Sequence, residues 1–351
     1  MIRIPRSELE QFCADIFINL NIPEEEAWDS AKILVAADAR GIPSHGVAHL
    51  ARYTAGIRSG KIKGAVVPTI LKETPLSRTI DAEGAMGMSL SRKCMDWVIE
   101  KALRQGAGFC AVRNSNHFGI AGYYTEMAAR QGCIGMAFCN TAALGVPTYA
   151  RKPWFGTNPI AFAAPGEKDD LFSLDMATTT VTRGRIEVAA REGEKLHPSW
   201  AVGKNGLSTD DPVSLLDDML YLRGGGLLPL GGEGDAGYKG FGLAVMVDIL
   251  SALLSGGTFG EEVRDSVETS ARVCHFFMAI DIKMFRNLAD FKADMSRMLK
   301  SIRKMEPAEG KERVLYAGLR HEETEAENNR LGIPLSDKTW EALQKEKNLP
   351  K

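Results

Sequence analysis

The chain has 351 residues, 44% of them hydrophobic and 25% charged, with a formal net charge of −2 at neutral pH. Such a length can bury a large core, and the composition is that of an ordinary globular protein. No block of Lys and Arg and no basic stripe interleaved with aromatics occurs, so no nucleic-acid partner is expected.

The N-terminal stretch MIRIPRSELEQFCADIF scatters charges among its apolar residues and lacks the continuous apolar core of a secretion signal. Ser7, with Glu10 three residues on, predicts a capping box ahead of Phe12, Ile16 and Leu20. Pro23 predicts a second helix that has Glu24, Glu25 and Glu26 in its first turn and stops at Arg40-Gly41. Pro43 and Ser44 restart the chain, so Ser44-His45 is expected to begin a third helix running to about Ser59.

Residues 66–81 are β-like, 87–105 read as a helix stopped by Gly106, and 109–113 as a short buried strand. A helix over 119–131 and a strand over 134–139 follow. From there to about residue 235 the chain is rich in Gly, Pro and Thr, with short β-like runs at 160–164 and 171–175. The most apolar run, 241–254, is interrupted by Asp248 and ended by Ser255-Gly256-Gly257. It is too short and too polar to span a bilayer, which predicts a buried core helix and no membrane partner. A strand over 275–281 and charged helices over 286–304 and 321–347 close the chain. This imperfect alternation predicts an α/β, α+β-like fold. The six cysteines show no CxxC pairing, as expected of reduced thiols in a cytoplasmic protein.

Four segments could carry chemistry. His45 and His49, two of only six histidines, stand four apart. Helical histidines at that spacing suit zinc, but Gly46 follows His45 where a metalloprotease has its Glu, so acid/base or structural roles compete with a metal. Arg113-Asn114-Ser115-Asn116-His117-Phe118-Gly119 places a polar cluster between a strand and a helix, where α/β folds put their chemistry; capping and local bonding are the plain alternative. Gly232-Glu233-Gly234-Asp235-Ala236-Gly237 spells GxGxxG, but no β-branched strand precedes it and no acid follows about 20 residues later, so it does not read as a Rossmann site. Tyr238-Lys239-Gly240, at the start of the apolar helix, could still meet a phosphate. Finally, Asp175 ends a strand ahead of Met176-Ala177-Thr178-Thr179-Thr180 and Arg183, groups able to orient a ribose or an amide, or only to satisfy a turn.

Together these segments resemble the malate/L-lactate dehydrogenase family of the second type, which is unrelated to the Rossmann lactate dehydrogenases. The likeness runs in order over nearly the whole chain: Ser44-His45-Gly46, Arg113 to Gly119, Gly156-Thr157-Asn158-Pro159, Asp175-Met176-Ala177, Arg183-Gly184, Pro229-Leu230-Gly231-Gly232, Tyr238-Lys239-Gly240, His275-Phe276-Phe277 and Gly332-Ile333-Pro334-Leu335. The resemblance implies a mainly antiparallel cofactor-binding sheet rather than a Rossmann fold. It implies a helical unit formed by residues 1–75 with 285–351, a central cofactor- and substrate-binding unit over 76–284, and a homodimer.

It further implies interconversion of a small 2-oxo acid and its 2-hydroxy acid with NAD or NADP, and no metal. His45 and His117 are then the candidates for acid/base work, with Ser44 orienting substrate or histidine. Many members have arginine where this chain has His49, which leaves His49, Arg52 or Arg183 to receive the substrate carboxylate. Thr141, Asp175, Met176, Ala177, Lys239, His275 and Gly318 match positions that line the cofactor. The chain departs from the family at Gly203, where an acid is usual after Trp-Ala-x, and at Ala317-Gly318-Leu319, which replaces Pro-Gly-Glu. These departures also motivate a second expectation, a degenerate member that binds cofactor without turnover.

Overall fold

The computed structural model describes residues 1–234, 236–264 and 270–349; Asp235 of the glycine motif lies outside them. Strand β1 (Ile2–Ile4) leads into helices α1 (Arg6–Asn19) and α2 (Glu24–Ala39). Helix α1 starts ahead of Ser7 with Pro5 at its cap, so the expected capping box does not form, and Glu10 pairs instead with Arg6 at 2.8 Å. Pro23 does precede α2, whose three first-turn acids face the positive end of the helix dipole.

The expected helix from Ser44 is corrected. Pro43–His45 and Val47–His49 are two separate 3₁₀ turns, and α3 covers only Leu50–Arg58. Gly46 breaks the run because its backbone presses on Asp38: a Cβ there would lie 2.2 Å from Asp38 Oδ2. His45 and His49 therefore do not share one helical face.

Strands β2 (Thr69–Glu73) and β3 (Ser77–Asp81) precede α4 (Gly87–Gln105), β4 (Ala107–Ser115), α5 (Gly122–Arg130), β5 (Cys133–Cys139), β6 (Ile160–Pro165) and β7 (Leu171–Met176). The stretch expected to be loops and strands also holds helices α6 (Arg183–Glu192) and α7 (Pro212–Leu220), separated by β8 (Ala201–Val202) and followed by β9 (Gly226–Leu227). Helix α7 was missed although its start carries a signal: Asp211 accepts the Val213 and Ser214 N–H groups and Pro212 takes the first turn. Helix α6 gave less signal, since only Ile186 and Ala189 are buried on it.

Helix α8 (Gly237–Asp248) widens into a π-helical turn over 249–253. Its inner face buries Ala244 and Val247, but Ile249, Leu253 and Leu254 are 45%, 53% and 55% exposed, so the expected buried core helix is buried on one side only. Strand β10 (Val273–Asp281), α9 (Leu288–Arg303), α10 (Leu319–Leu331), β11 (Ile333–Leu335) and α11 (Asp337–Lys347) complete the chain.

The main sheet runs β2-β3-β4-β10-β5-β6-β7 and is antiparallel except for β3 against β4. Register brings distant segments level: His275 lies opposite Val112 and Cys139, Phe138 opposite Ile160, and Ile160 opposite Met176. The C-terminal ends of β4, β5 and β7 and the N-terminal ends of β10 and β6 thus meet at one end of the sheet. Strand β11 returns to pair with β1, and the main core joins Leu9, Phe17 and Ile33 of the first helices to Met88, Tyr124 and Phe277 beside the sheet. Ile186, Leu196, Leu215 and Leu227 form a smaller separate core around α6 and α7. Among the described residues no helix is long and apolar enough to cross a membrane.

Candidate active site

Burial of α2 sets the first part of the site. Asp38, near its C-terminal end, is buried and accepts the Val47 N–H at 2.6 Å, which ties the two 3₁₀ turns to the helix. Desolvation pushes the Asp38 carboxyl up to about 7, against the pull of that amide. The turns deliver His45 and His49 to the end of β4, where the loop after Ser115 supplies His117. The three imidazoles form a triangle with ring centroids 5.5, 6.1 and 6.2 Å apart.

Burial drives this cluster toward neutrality. The His45 imidazole is lowered from 6.5 to about 4 by desolvation and by His49. His49 is lowered by burial, opposed by its bond to the Ser44 carbonyl and by the nearby Glu187. His117 falls well below the ordinary value, through burial and then through His45, Arg52, His49 and His275. Ser44 Oγ lies 3.0 Å from His45 Nδ1, and Tyr53 Oη lies 2.5 Å from His117 Nδ1. Arg52 turns its positive charge toward His49, His117 and Tyr53. Arg183 stands on α6, with Nε 2.9 Å from Glu187, the carboxylate that reaches His49.

The cofactor candidates gather at the same end of the sheet. Thr141 follows β5; its Oγ1 accepts the Thr157 N–H at 2.9 Å, and its own N–H donates to Asn158 Oδ1 at 3.2 Å. Asn158 is buried and donates onward to Asp248, which explains the Gly-Thr-Asn-Pro stretch as a brace between strands and α8. Asp175 ends β7 and accepts the Gly122 N–H at the start of α5 at 2.7 Å with one carboxylate oxygen. It opens onto a cavity of about 530 Å³ lined also by Arg40, Glu126, Ser173, Gly318 and His321. The surrounding protein holds its carboxyl above the usual range, despite the amide.

Gly318 has φ +95°, and a Cβ there would lie 2.8 Å from the Ser173 carbonyl, so a side chain is excluded from this wall. Met176 and Ala177 run from Asp175 to Thr178, whose carbonyl accepts the Leu230 N–H at 2.8 Å and so links them to the loop before α8. Lys239 stands apart, exposed on the first turn of α8 with its ammonium 6.0 Å from the Tyr238 ring. His275 is fully buried, stacked on Phe118 at 4.6 Å and lowered by desolvation to about 3 against the pull of the Asn116 backbone, and among the described residues neither ring nitrogen makes a hydrogen bond of good geometry.

The residues fit a nicotinamide dinucleotide on this chain's own features. Buried polar atoms without partners are costly unless something meets them, and His275 has two beside the histidine triangle. Asp175 keeps a second oxygen for a hydroxyl, and the Gly318 wall leaves room for close approach. Among the described residues no group of three or more His, Cys, Asp and Glu is arranged to hold a metal ion.

Two residues escaped the sequence reading. Tyr53 lay one helical turn beyond His49, and Asp38 was an acid inside an alanine-rich apolar helix, a pattern that signals a buried carboxylate. Gly203, where an acid was expected, is a turn residue whose N–H bonds Leu207.

A model of the malate/L-lactate dehydrogenase family matches residues 4–344. The chain is 43% identical over 344 residues to a malate dehydrogenase of Pyrococcus abyssi, covering 97% of this chain and 93% of that protein. It is 37% identical over 320 residues to an L-sulfolactate dehydrogenase of Methanocaldococcus jannaschii, covering 91% and 88%. The crystal structure of malate dehydrogenase from Entamoeba histolytica superposes with a TM-score of 0.94 at 31% identity, covering 100% of this chain and 99% of that one. The chain therefore belongs to the malate/L-lactate dehydrogenase family.

Proposed function

We propose that the chain interconverts a small 2-oxo acid and its 2-hydroxy acid, using NAD or NADP, at the histidine corner. The observation that carries this reading is the triangle of desolvated imidazoles at the end of the sheet that also bears Thr141, Asp175 and the unpartnered His275. The nicotinamide supplies or accepts the hydride when bound. His45 and His117 are the candidates to hold the proton exchanged at the substrate oxygen, and the Ser44 hydroxyl orients His45 through Nδ1. Arg52, Arg183 and His49 take the substrate carboxylate, the guanidinium fork matching its two oxygens. Thr141, Asp175, Met176, Ala177, Lys239, His275 and Gly318 hold the cofactor.

The relatives are named for malate and sulfolactate, both small 2-hydroxy acids with a second acidic group, and Arg52 acting on His49, with Arg183 as a second guanidinium, suits such a dianion. A cytoplasmic homodimer completes the reading, with Ile249, Leu253 and Leu254 on the surface that pairing would cover. The division into a terminal helical unit, 1–75 with 285–351, and a central unit, 76–284, belongs to the same reading.

The test is a panel assay of the purified protein with NADH and NADPH against oxaloacetate, pyruvate, 2-oxoglutarate and bulkier 2-oxo acids, followed by nicotinamide absorbance. Oxidation of either cofactor with one of them is the expected result. Silence across the panel, with tight nicotinamide binding, would instead select a binding protein without turnover.

A further inference from the structure

We propose that Tyr53 and the Gly119 amide fix His117 as a neutral imidazole with its proton on Nε2, so that His117 donates a hydrogen bond to the substrate oxygen while His45 exchanges the proton. This division of labour rests on the reductase reading above.

A backbone N–H can only donate, and that of Gly119 meets His117 Nδ1 at 3.3 Å. That nitrogen is therefore the acceptor and carries no proton. Tyr53 meets the same nitrogen at 2.5 Å, and burial holds its hydroxyl in the protonated, donating form. With Nδ1 occupied by two donors, the ring proton of neutral His117 must sit on Nε2, which has no partner among the described residues. A second proton would have to enter on Nδ1, against the Gly119 N–H. It would also face His45 from the first 3₁₀ turn, His49 from the second, Arg52 from α3 and His275 from β10, each of which opposes an imidazolium at 117.

His45 differs at its Nδ1. Its Nδ1 partner is the Ser44 hydroxyl, which can donate or accept, and that hydroxyl is exposed to solvent. Both protonation states of His45 are therefore accommodated. In reduction the carbonyl carbon gains the hydride of the reduced nicotinamide, and the carbonyl oxygen takes the His45 proton, leaving a neutral imidazole. The Nε2–H of His117 polarises the carbonyl and is not given up. Oxidation reverses each transfer. Tyr53 is accordingly a positioning residue.

Nitrogen-15 NMR of histidine-labelled protein, with His117 assigned from His117→Gln, reads the tautomer without any ligand. His117 is expected to stay neutral with a protonated Nε2 from pH 8 to pH 5 (a range set by the ordinary imidazole value), and Tyr53→Phe to loosen that preference. Titration of His117 within that range in the unaltered chain would overturn the proposal. In the panel assay, His117→Gln keeps a donor and is expected to retain turnover within about tenfold, with the pH limb unmoved. His45→Gln is expected to lose more than about a hundredfold. The reverse pattern sinks the assignment. Loss of all turnover in the unaltered chain, with the tautomer as stated, would instead condemn the reductase reading.

Discussion

At the histidine corner, His45, His49 and His117 face Arg52 and one another, and burial drives each imidazole toward the neutral form. In the neighbouring cavity several charged groups of the walls are tied together in pairs. Arg40 bonds Glu126 at 2.6 Å and Glu325 at 2.9 Å, Arg6 bonds Glu325 at 2.9 Å, and Ser173 donates to Glu126 at 2.8 Å. The corner lies at one end of the sheet, and the cavity runs from Asp175 there along the edge strand β7 to Leu171 at the other end. The difference teaches how one scaffold serves two needs. On the proposed reading, proton exchange needs groups that can change charge, which fits the corner's weakly compensated imidazoles, and holding a ligand needs rigid walls, which fits the cavity's paired charges.

The separation breaks first at turnover. His45→Ala and His117→Ala are each expected to lower kcat by about 10²–10⁴-fold while nicotinamide binding, followed by fluorescence, stays near normal. Equal losses of binding would show the two regions to be one.

The converse is Arg40→Met, which leaves the Glu126 and Glu325 carboxylates without their shared cation. A drop of about 3 kcal/mol in unfolding free energy is expected from denaturant titration, because Glu126 loses its 2.6 Å partner and Glu325 keeps only Arg6 among the described residues. A change below about 1 kcal/mol would mean that these charges are solvated rather than structural.

The third contrast is with pH. The folded His45 value, about 4, lies below its ordinary 6.5, so the unfolded chain binds the extra proton first. Its contribution to stability is full above pH 6.5 and is lost as the pH falls toward 4, a loss on the order of 3 kcal/mol. Asp38 has the opposite sign: its folded value, about 7, lies above the ordinary 3.8, so its contribution is full below 3.8 and is lost as the pH rises through 7. Acid unfolding should therefore become shallower in His45→Gln and steeper in Asp38→Asn, as read from melting temperatures between pH 4 and pH 7. Parallel shifts in both variants would contradict the opposed signs.

The smallest effect is expected from Asp38→Ala at a pH where the carboxyl is ionised. Leaving the Val47 N–H without its acceptor costs about 1–3 kcal/mol. Most of the functional loss should appear in kcat, because the turns that carry His45 and His49 lose their tether.

Much of the molecule was legible before folding. The helix that ends at Gly106, the acids after Pro23 and the β-like runs at 134–139, 160–164 and 275–281 all become elements where expected, because local propensity and burial agree there. The start at Ser44 failed because Gly46 must yield to Asp38, a contact made across the fold rather than along the chain. Ser7 failed as a cap because Pro5, with its fixed backbone angle, was already placed to start the helix two residues sooner.

By itself the sequence offered Ser44, His45, His49, His117, Asp175 and Lys239 as polar positions near element boundaries, and its resemblance to the family added Arg52, Thr141, His275 and Gly318. Only tertiary structure decided which of them act together. His117 reaches His45 because β4 ends level with the turns that Asp38 pins, and Asp175 joins Gly318 because an edge strand accepts a chain returning from the C-terminus. Tertiary structure also decided protonation. Burial and neighbouring charge, which no spacing in a sequence records, set the Tyr53–His117 bond and the neutral state of the ring it holds.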